Sequence, residues 1–230
     1  MILGRDQHPA SACFEEVNAA VEAMTDRVVC FNAHAFPAPP GAIVYNLENV
    51  PGQVPDPAER WKGHEVWDFS ASNAAKYGAK HVPVGYHPSM ERFERAADCP
   101  IDVVFTGCMN SRRARVLTAL RDWKLRVVHL PPGVYGAERD DILARSKLAL
   151  NMLFYGDGVF PALRVAHLVA NRVPVLSEAC REGWDFVSTC DYGEIVPRVL
   201  RMLKLHPNYL ALGAADALAD FKSKPMELPT

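Results

Sequence analysis

The stretch Asn151-Met-Leu-Phe-Tyr-Gly-Asp-Gly-Val-Phe-Pro-Ala-Leu-Arg-Val-Ala-His-Leu-Val-Ala-Asn-Arg-Val-Pro-Val-Leu-Ser-Glu178 follows the order strand, loop, helix, strand. Residues 148–154 form a short apolar run, which is typical of a strand buried on both faces. Residues 155–158 contain two glycines and predict a turn, and Pro161 stands where a helix favours proline, at its first position. Apolar residues then recur at helical spacing, and residues 173–176 predict a second buried strand.

A loop that leads from the carboxyl end of a parallel strand into a helix is suited to holding an anion, in particular a diphosphate. Arg164 lies one turn into the predicted helix, beside such a site. Glu178 ends the second strand, where its carboxylate could accept hydrogen bonds from both hydroxyls of a ribose. An ion pair on a helix surface for Arg164 and a helix cap for Glu178 explain the same residues equally well.

The composition is that of a folded globular chain. Of the 230 residues, 49% are hydrophobic, which supports a core and excludes global disorder. This length allows one large domain or two small ones. The formal net charge of −2 provides no general attraction to nucleic acid or to a membrane, although local basic patches remain compatible with it.

Cysteine usage and hydropathy predict the compartment. The six cysteines are scattered without a CxxC pair, so the sequence offers no metal or redox motif of that kind, and free thiols in a reducing compartment are expected. We find no apolar stretch long enough to span a bilayer, and the first residues do not resemble a signal peptide. The sequence therefore predicts a cytoplasmic protein without an integral membrane segment.

Strands and helices alternate along the whole chain, which predicts parallel sheets covered by helices. Residues 51–63 carry three prolines and two glycines and are expected to be irregular, whereas Ser70 should cap a helix that stops at Gly78. Further strands are expected at residues 27–32, 42–47, 65–69, 80–85, 101–106, 125–130 and 186–190. Further helices are expected at residues 10–24, 110–123, 137–146, 193–203 and 208–221.

Residues 86–99 are polar and separate two such units. The predicted fold class is therefore α/β, with two Rossmann-like domains whose parallel sheets face a central cleft. The first domain should cover residues 1–95 and the second residues 96–207, with a closing helix in residues 208–230. A ligand is expected in the cleft, at the carboxyl ends of the strands.

The segment from Gly107 to Arg113 is one candidate anion site. Gly107 ends a strand and would let a ligand approach the backbone, while Arg112 and Arg113 lie in the first turn of the next helix. Their charge opposes the helix dipole there, and a bound anion would relieve that penalty. The alternative is a solvated basic helix, which Arg115 and Arg121 would continue. The sequence has no P-loop motif.

A second candidate lies in residues 133–140, between a predicted strand and a helix. Tyr135 could stack on a base, and Arg139 could pair with a phosphate or with Glu138 or Asp141. A turn that leads into a charged helix start explains these residues equally well.

In the first half, Glu48 and Asp68 each stand near a strand end. Together with His8 and Asn46 they are candidates to contact an acceptor hydroxyl or to act as a general base. The simpler interpretation of His8 is a surface histidine before a helix. The sequence contains no GxSxG, HExxH or GxGxxG motif, which argues against a hydrolase of that type, a zincin and a typical dinucleotide oxidoreductase.

An ordered set of segments resembles the small GT-B glycosyltransferases, in the broad group of glycosyltransferase family 4 and the group 1 glycosyl transferases. The segments cover most of the chain and are Ile43-Val-Tyr-Asn-Leu-Glu48, Val66-Trp-Asp-Phe-Ser70, Val82-Pro-Val-Gly-Tyr86, Asp102-Val-Val-Phe-Thr-Gly107, Asn110-Ser-Arg-Arg113, Gly133-Val-Tyr-Gly-Ala-Glu-Arg139 and Leu168-Val-Ala-Asn-Arg-Val-Pro-Val-Leu-Ser-Glu178.

The resemblance implies a nucleotide-sugar donor, with a UDP-sugar expected, held by the C-terminal domain, an acceptor held by the N-terminal domain, and a last helix that crosses back. It implies no metal and no cofactor, because positive side chains and helix-end amides stabilise the departing nucleoside diphosphate. It favours retention at the anomeric carbon. Carried over by position, Gly107 with Arg112 or Arg113 would lie near the diphosphate and Tyr135 and Arg139 near the base or diphosphate. The sugar and ribose side would be lined by Phe160, Arg164 and Glu178.

The donor loop departs from the family pattern at two positions. Relatives usually carry a glutamate pair there, whereas this sequence has Pro161 and His167. Donor contacts would then come from Asp157, Glu178 or His167.

The expected function is transfer of a sugar to a hydroxyl of a glycan, a lipid-linked intermediate or a hydroxylated DNA base. The DNA alternative rests on a set of basic positions, Arg112, Arg113, Arg115, Arg121, Lys124 and Arg126. The alternative of another class is a catalytically silent nucleotide-sugar-binding module, which the missing donor glutamates favour.

Overall fold

Two five-stranded sheets, each with helices packed on it, form the structure, a computed structural model that describes residues 2–3, 15–31, 37–48, 58–205 and 207–229. All strand pairs in both sheets are parallel. The predicted α/β class with two parallel sheets is therefore confirmed. His8 lies outside the described residues.

The first sheet follows the chain order β1-β2-β3-β4-β5. Its core is aromatic: Tyr45 and Trp67 have no exposed surface and pack edge to face, with ring centroids 5.9 Å apart. The strands are β1 (Ile2–Leu3), β2 (Val29–Cys30), β3 (Ile43–Asn46), β4 (Glu65–Asp68) and β5 (Lys80–His81), and the helices are α1 (Glu15–Met24), α2 (Ala58–Trp61) and α3 (Ala71–Tyr77).

The second sheet has the order β10-β9-β8-β6-β7, with β6 (Ile101–Thr106), β7 (Val127–Leu130), β8 (Ser146–Asn151), β9 (Val175–Glu178) and β10 (Ser188–Cys190). The strand order reverses at β6, because its two neighbours β7 and β8 both follow it in the chain. Connections on the two sides of such a switch point diverge and leave a crevice at the carboxyl ends of the strands. The helices are α4 (Ser111–Asp122), α5 (Gly136–Ala144), α6 (Ala162–Ala170), α7 (Ile195–Lys204) and α8 (Pro207–Lys222).

Local sequence signals predicted the bounds of several elements to within one residue or so. The Ser70 side chain accepts a hydrogen bond from the Asn73 N–H, and Gly78 ends α3 in the left-handed conformation with φ of 65°. β6 has the predicted bounds, whereas Pro161, predicted as the first residue of the helix, is its N-cap, and α6 begins one residue later at Ala162. The predictions at Ser70 and Gly78 are confirmed because each rests on a backbone requirement that few residue types satisfy.

Other predictions missed short elements. Residues 58–61 were expected to be irregular, yet they form the single turn of α2 because Trp61 is buried against the edge of the Tyr77 ring. The pairing of Ile2–Leu3 with β2 was not predicted. The strand expected over residues 80–85 ends at His81, two residues before Pro83, which cannot donate to a ladder.

The chain after α8 lies against the segment that follows β5. The Tyr86 N–H donates to the Lys224 carbonyl at 2.8 Å, and the Met226 N–H donates to the Tyr86 carbonyl at 2.8 Å. Phe221 packs edge to face on Tyr86, and Met226 is buried. The predicted boundary between residues 95 and 96 lies between β5 and β6, so this closing segment contacts the end of the first half.

Two findings bear on the predicted environment of the chain. Within the described residues, no helix combines the length and the apolar character needed to cross a bilayer. The described cysteines are all free thiols.

Replacing Gly85 by alanine should lower the free energy of unfolding by about 2 kcal/mol, since overpacking costs roughly 1–3 kcal/mol. A Cβ atom at Gly85 would lie 2.6 Å from the backbone of Pro225 and Met226, where no side chain can rotate away. Urea unfolding measures the change. Gly193→Ala is the control, because a Cβ atom there meets nothing within 4 Å. Equal stabilities of the two variants would contradict the docking of the closing segment.

Candidate functional site

A cavity of about 510 Å³ opens at the switch point of the second sheet. Loops that follow β6, β7 and β8 line it, together with the start of α6, and Leu47, Glu48 and Phe69 close it from the first half. Its volume is that of a small-molecule site. The predicted site residues that line it are Glu48, Gly107, Arg113, Tyr135, Arg139, Arg164 and His167.

Gly107 brings the backbone at the end of β6 next to two guanidinium groups. Its φ is 129°, a conformation that other residues rarely adopt. A Cβ atom at this position would lie 3.1 Å from Nη2 of Arg164 and 3.8 Å from Nη1 of Arg113. The backbone conformation therefore favours glycine here, and the ends of both arginines lie close to it.

Arg113 is a buried cation, with only 3% of its surface exposed. Its guanidinium donates to the carbonyl oxygens of Cys108 at 2.7 Å and Leu153 at 3.2 Å, and to that of Met152. These acceptors carry no formal charge, so the positive charge is retained in the cavity wall. Burial, together with the nearby charge of Arg164, lowers the pKa of Arg113 to about 9, which leaves it protonated at neutral pH.

Arg164 extends from α6 toward the end of β8, where Nη1 donates to Oδ1 of the buried Asn151 at 3.1 Å. The guanidinium groups of Arg113 and Arg164 both lie near the ring of Phe105, at 5.0 and 6.0 Å from its centroid. Two like charges on one apolar ring repel each other, and the repulsion is stronger in a low-dielectric cavity than in water. An anion placed between them would relieve it.

Glu48 faces these cations from the first half. Burial raises the pKa of Glu48, and the charge of Arg164 opposes that rise. Its backbone is fixed by Asn46, whose Oδ1 accepts from the Glu48 N–H at 3.2 Å and whose Nδ2 donates to the Glu48 carbonyl at 3.0 Å. A carboxylate so positioned can accept a proton or a hydroxyl hydrogen bond inside the cavity.

Asp68, the other carboxylate predicted to contact an acceptor, has no exposed surface and does not line the cavity. Its Oδ2 accepts from Nδ2 of Asn46 at 2.7 Å, and its Oδ1 accepts from the Ser70 N–H at 2.8 Å. Burial raises its pKa to about 6 despite these hydrogen bonds. Asp68 therefore holds Asn46, which in turn positions Glu48.

Arg112 and Glu178 pair with each other instead of facing the cavity. Nη1 of Arg112 donates to Oε2 of Glu178 at 2.7 Å, and Nη2 contacts Oε1. The Leu153 N–H also donates to this carboxylate, and the arginine lies 3.8 Å above the ring centroid of Tyr192. These two residues, predicted to contact phosphate and ribose, form an internal ion pair in the structure and are not among the residues that line the cavity. Nothing in a single sequence indicates a pairing of residues so far apart in the chain.

Phe160 is also a structural residue. Only 1% of its surface is exposed, and its ring packs on Trp184 with centroids 5.2 Å apart. It lies in the loop before α6 and does not line the cavity.

A buried polar cluster forms the wall near α5. Nε2 of His167 lies 2.9 Å from Oδ1 of Asp140, which also accepts from Nε of Arg139 at 3.0 Å. Burial raises the pKa of Asp140, but the hydrogen bond and charge of His167 and the charge of Arg139 outweigh it and lower the pKa overall. Asp140 was not among the predicted site residues. Tyr135, at the start of α5, stands beside Pro131 and Pro132 on the same wall.

Glu182 connects the two halves beside the site. It lies in the loop between β9 and β10, and its carboxylate accepts from the Ala71 N–H at 3.0 Å and the Ser72 N–H at 2.9 Å, and from the hydroxyls of Ser70 and Ser72. Its φ of 61° is unusual for a residue with a side chain. These contacts place a second-half carboxylate on the N-terminus of α3, two residues beyond Asp68.

Comparison with known proteins gives relatives without a named activity. No family model matches the chain. It is 27% identical over 111 residues to "Uncharacterized protein L138" of Acanthamoeba polyphaga mimivirus, covering 45% of this chain and 13% of that protein. Two further proteins of this virus, "Uncharacterized protein L137" and "Uncharacterized protein L140", are 22% and 23% identical over 62% and 60% of this chain. The matched regions span 21% and 50% of their lengths, so the chain corresponds to half or less of each relative.

Asp68→Asn should remove a pH dependence of stability. The folded state raises the pKa of Asp68 from 3.8 to about 6 and so favours the protonated acid. The wild-type protein should therefore lose about 2–3 kcal/mol of unfolding free energy relative to the variant as pH rises from about 4 to about 6. Urea unfolding of both proteins across this range measures the difference. Parallel pH curves would contradict the buried position of this carboxyl group.

Proposed function

We propose that the chain is a GT-B glycosyltransferase that transfers a sugar from a nucleoside diphosphate, with UDP-sugar as the expected donor, to an acceptor hydroxyl. One observation carries the proposal: Arg113 and Arg164 converge on Gly107 at the switch point, and Glu48 faces them across the cavity. The ordered sequence resemblance and the two parallel sheets support it.

The donor diphosphate would lie against Gly107, between Arg164 and the start of α6. The amino end of α6 adds the positive end of a helix dipole to the charge of the arginine. The charge of Arg113 would attract the diphosphate from within the cavity wall, where three carbonyl oxygens hold the guanidinium. Tyr135, with Pro131 and Pro132, offers an apolar wall for the base.

In the transfer, a bond forms between the acceptor oxygen and the anomeric carbon, and the bond from that carbon to the β-phosphate oxygen breaks. The departing UDP takes the electron pair, and its developing charge is stabilised by Arg164 and Arg113. The hydroxyl proton passes to Glu48 when the acceptor attacks from the first half, or to the departing phosphate when attack occurs on the face of departure.

A catalytically silent nucleotide-sugar-binding module is the second candidate. The ion pair between Arg112 and Glu178 favours it, because that carboxylate was expected to bind the donor ribose or sugar. Pro161 and His167 also replace the usual glutamates of the donor loop. A DNA acceptor has less support, since Arg112 is paired and Arg113 is buried, which leaves a smaller basic surface than the sequence suggested.

Arg164→Ala should weaken UDP binding about tenfold to hundredfold, because a hydrogen bond to a charged group contributes about 1.5–3 kcal/mol. Isothermal titration calorimetry with UDP measures the affinity. The control is Arg115→Ala, which removes an equally charged side chain from the exposed face of α4. Equal affinities of the two variants would exclude the phosphate assignment.

Glu48→Gln should lower the rate of sugar transfer about 10²-fold or more while leaving UDP affinity within a few-fold. The amide keeps the size of the side chain but cannot accept the proton. Transfer of a radiolabelled sugar from UDP-sugars into a glycan or lipid extract provides the assay. An unchanged rate would assign proton transfer to another group. UDP binding without any transfer by the wild-type protein would favour the silent module.

A further inference from the structure

The edge of the second sheet opposite the cavity brings together the ends of two helices. α4 and α7 share one hydrophobic cluster, in which Leu117 and Leu120 pack with Ile195 and Val199. Both helices return from the carboxyl ends of parallel strands, so both end where the strands begin. The turn after α4 leads into β7, and Leu205, after α7, lines a groove with Val173 and Val175 at the start of β9.

This edge is strongly basic in a chain whose net charge is −2. Its exposed cations are Arg121, Lys124, Arg126, Arg201 and Lys204. Arg201 lies 4.0 Å from Glu194, and both side chains are 61% exposed, so that pair is weak. Asp122 is also exposed, and Asp102 at the start of β6 accepts from the Arg126 N–H at 2.8 Å and pairs with Lys147. The described cations of this edge outnumber these carboxylates. We call these five residues, with the apolar residues described next, the basic edge.

Large apolar side chains stand among these charges. Trp123 is 64% exposed between Arg121 and Lys124, and Leu205 and Tyr209 are 50% and 67% exposed beyond Lys204. Tryptophan and tyrosine, which combine a solvated polar group with an apolar ring, are favoured at the interface between water and lipid. Interspersed lysine and arginine are attracted there by anionic headgroups.

An apolar groove of about 350 Å³ runs beside the basic edge, between α7 and α8. Val169, Val173, Met202 and Leu210 are among its walls, and Arg198 and Arg201 also line it. An apolar channel with cations beside it matches an amphiphile that has a hydrocarbon chain and a negatively charged head.

We propose that the basic edge docks this protein on an anionic lipid surface. The charge of the edge complements acidic headgroups, and its exposed tryptophan, leucine and tyrosine would enter the headgroup region. Nucleic acid would match the charge, but it provides no apolar phase for Leu205 or for the groove. The proposal does not depend on glycosyl transfer. The cavity lies at the opposite edge of the sheet and stays open to solvent when the protein is docked.

Sedimentation with lipid vesicles tests the proposal. We expect the full chain to bind phosphatidylcholine vesicles that contain phosphatidylglycerol and not to bind phosphatidylcholine alone, at a salt concentration of about 0.1 M where the Debye length is about 10 Å. The double variant Arg121→Gln/Lys124→Gln should partition about 20- to 30-fold less, since each basic residue near the surface contributes about fivefold. Trp123→Ala should also reduce binding, and this loss should remain at higher salt.

The matched control is Lys62→Gln/Lys76→Gln, which removes two exposed cations from the first half. It should bind like the wild-type protein, and thermal unfolding of every variant checks that each is folded. Equal partition onto neutral and anionic vesicles, or equal loss in the control, would overturn the proposal. So would release from anionic vesicles by duplex DNA together with tighter binding of that DNA, which would identify a nucleic acid as the partner.

Discussion

The buried guanidinium of Arg113 is the interaction on which the candidate site depends. It starts in the first turn of α4 and donates to carbonyl oxygens that follow β6 and β8, so it holds together the two chain ends that diverge at the switch point. The same guanidinium keeps a positive charge in the cavity wall, so one side chain supports both the shape and the electrostatics of the site.

The first half completes the site through a chain of hydrogen bonds. Asp68 holds Asn46, Asn46 holds the backbone of Glu48, and Glu48 faces Arg164. Glu182 of the second half contacts the N-terminus of α3, close to Asp68, where this series of hydrogen bonds begins. The charge of Glu182 contributes to the raised pKa of Asp68. The position of the cavity carboxylate is therefore coupled to the contact between the two halves.

Sequence patterns predicted the elements whose cause is local. The cap at Ser70, the stop at Gly78 and the bounds of β6 follow from backbone rules and hydrophobic runs that a single chain displays. Loops at the carboxyl ends of the parallel strands were also predicted to meet at one cleft, and Gly107 and Arg164 both line the cavity there. The contacts that were not predicted involve residues that are far apart in the sequence. No local pattern distinguishes Arg112, which pairs with Glu178, from Arg113, which is buried under carbonyl oxygens, although they are adjacent in the sequence.

That distinction changes the charge balance of the cavity. With Glu178 neutralised by Arg112 outside the cavity and Asp140 held by His167 and Arg139, Glu48 is the carboxylate that the described lining contributes directly. Among the described lining residues, Arg113 and Arg164 face this carboxylate, and the pKa of Arg113, although lowered to about 9, stays well above neutral. Guanidinium groups in a cavity wall of low dielectric attract an anion into the cavity. In the proposed transfer, a diphosphate would be that anion, and its departure as a more highly charged leaving group would be the step that these cations favour most.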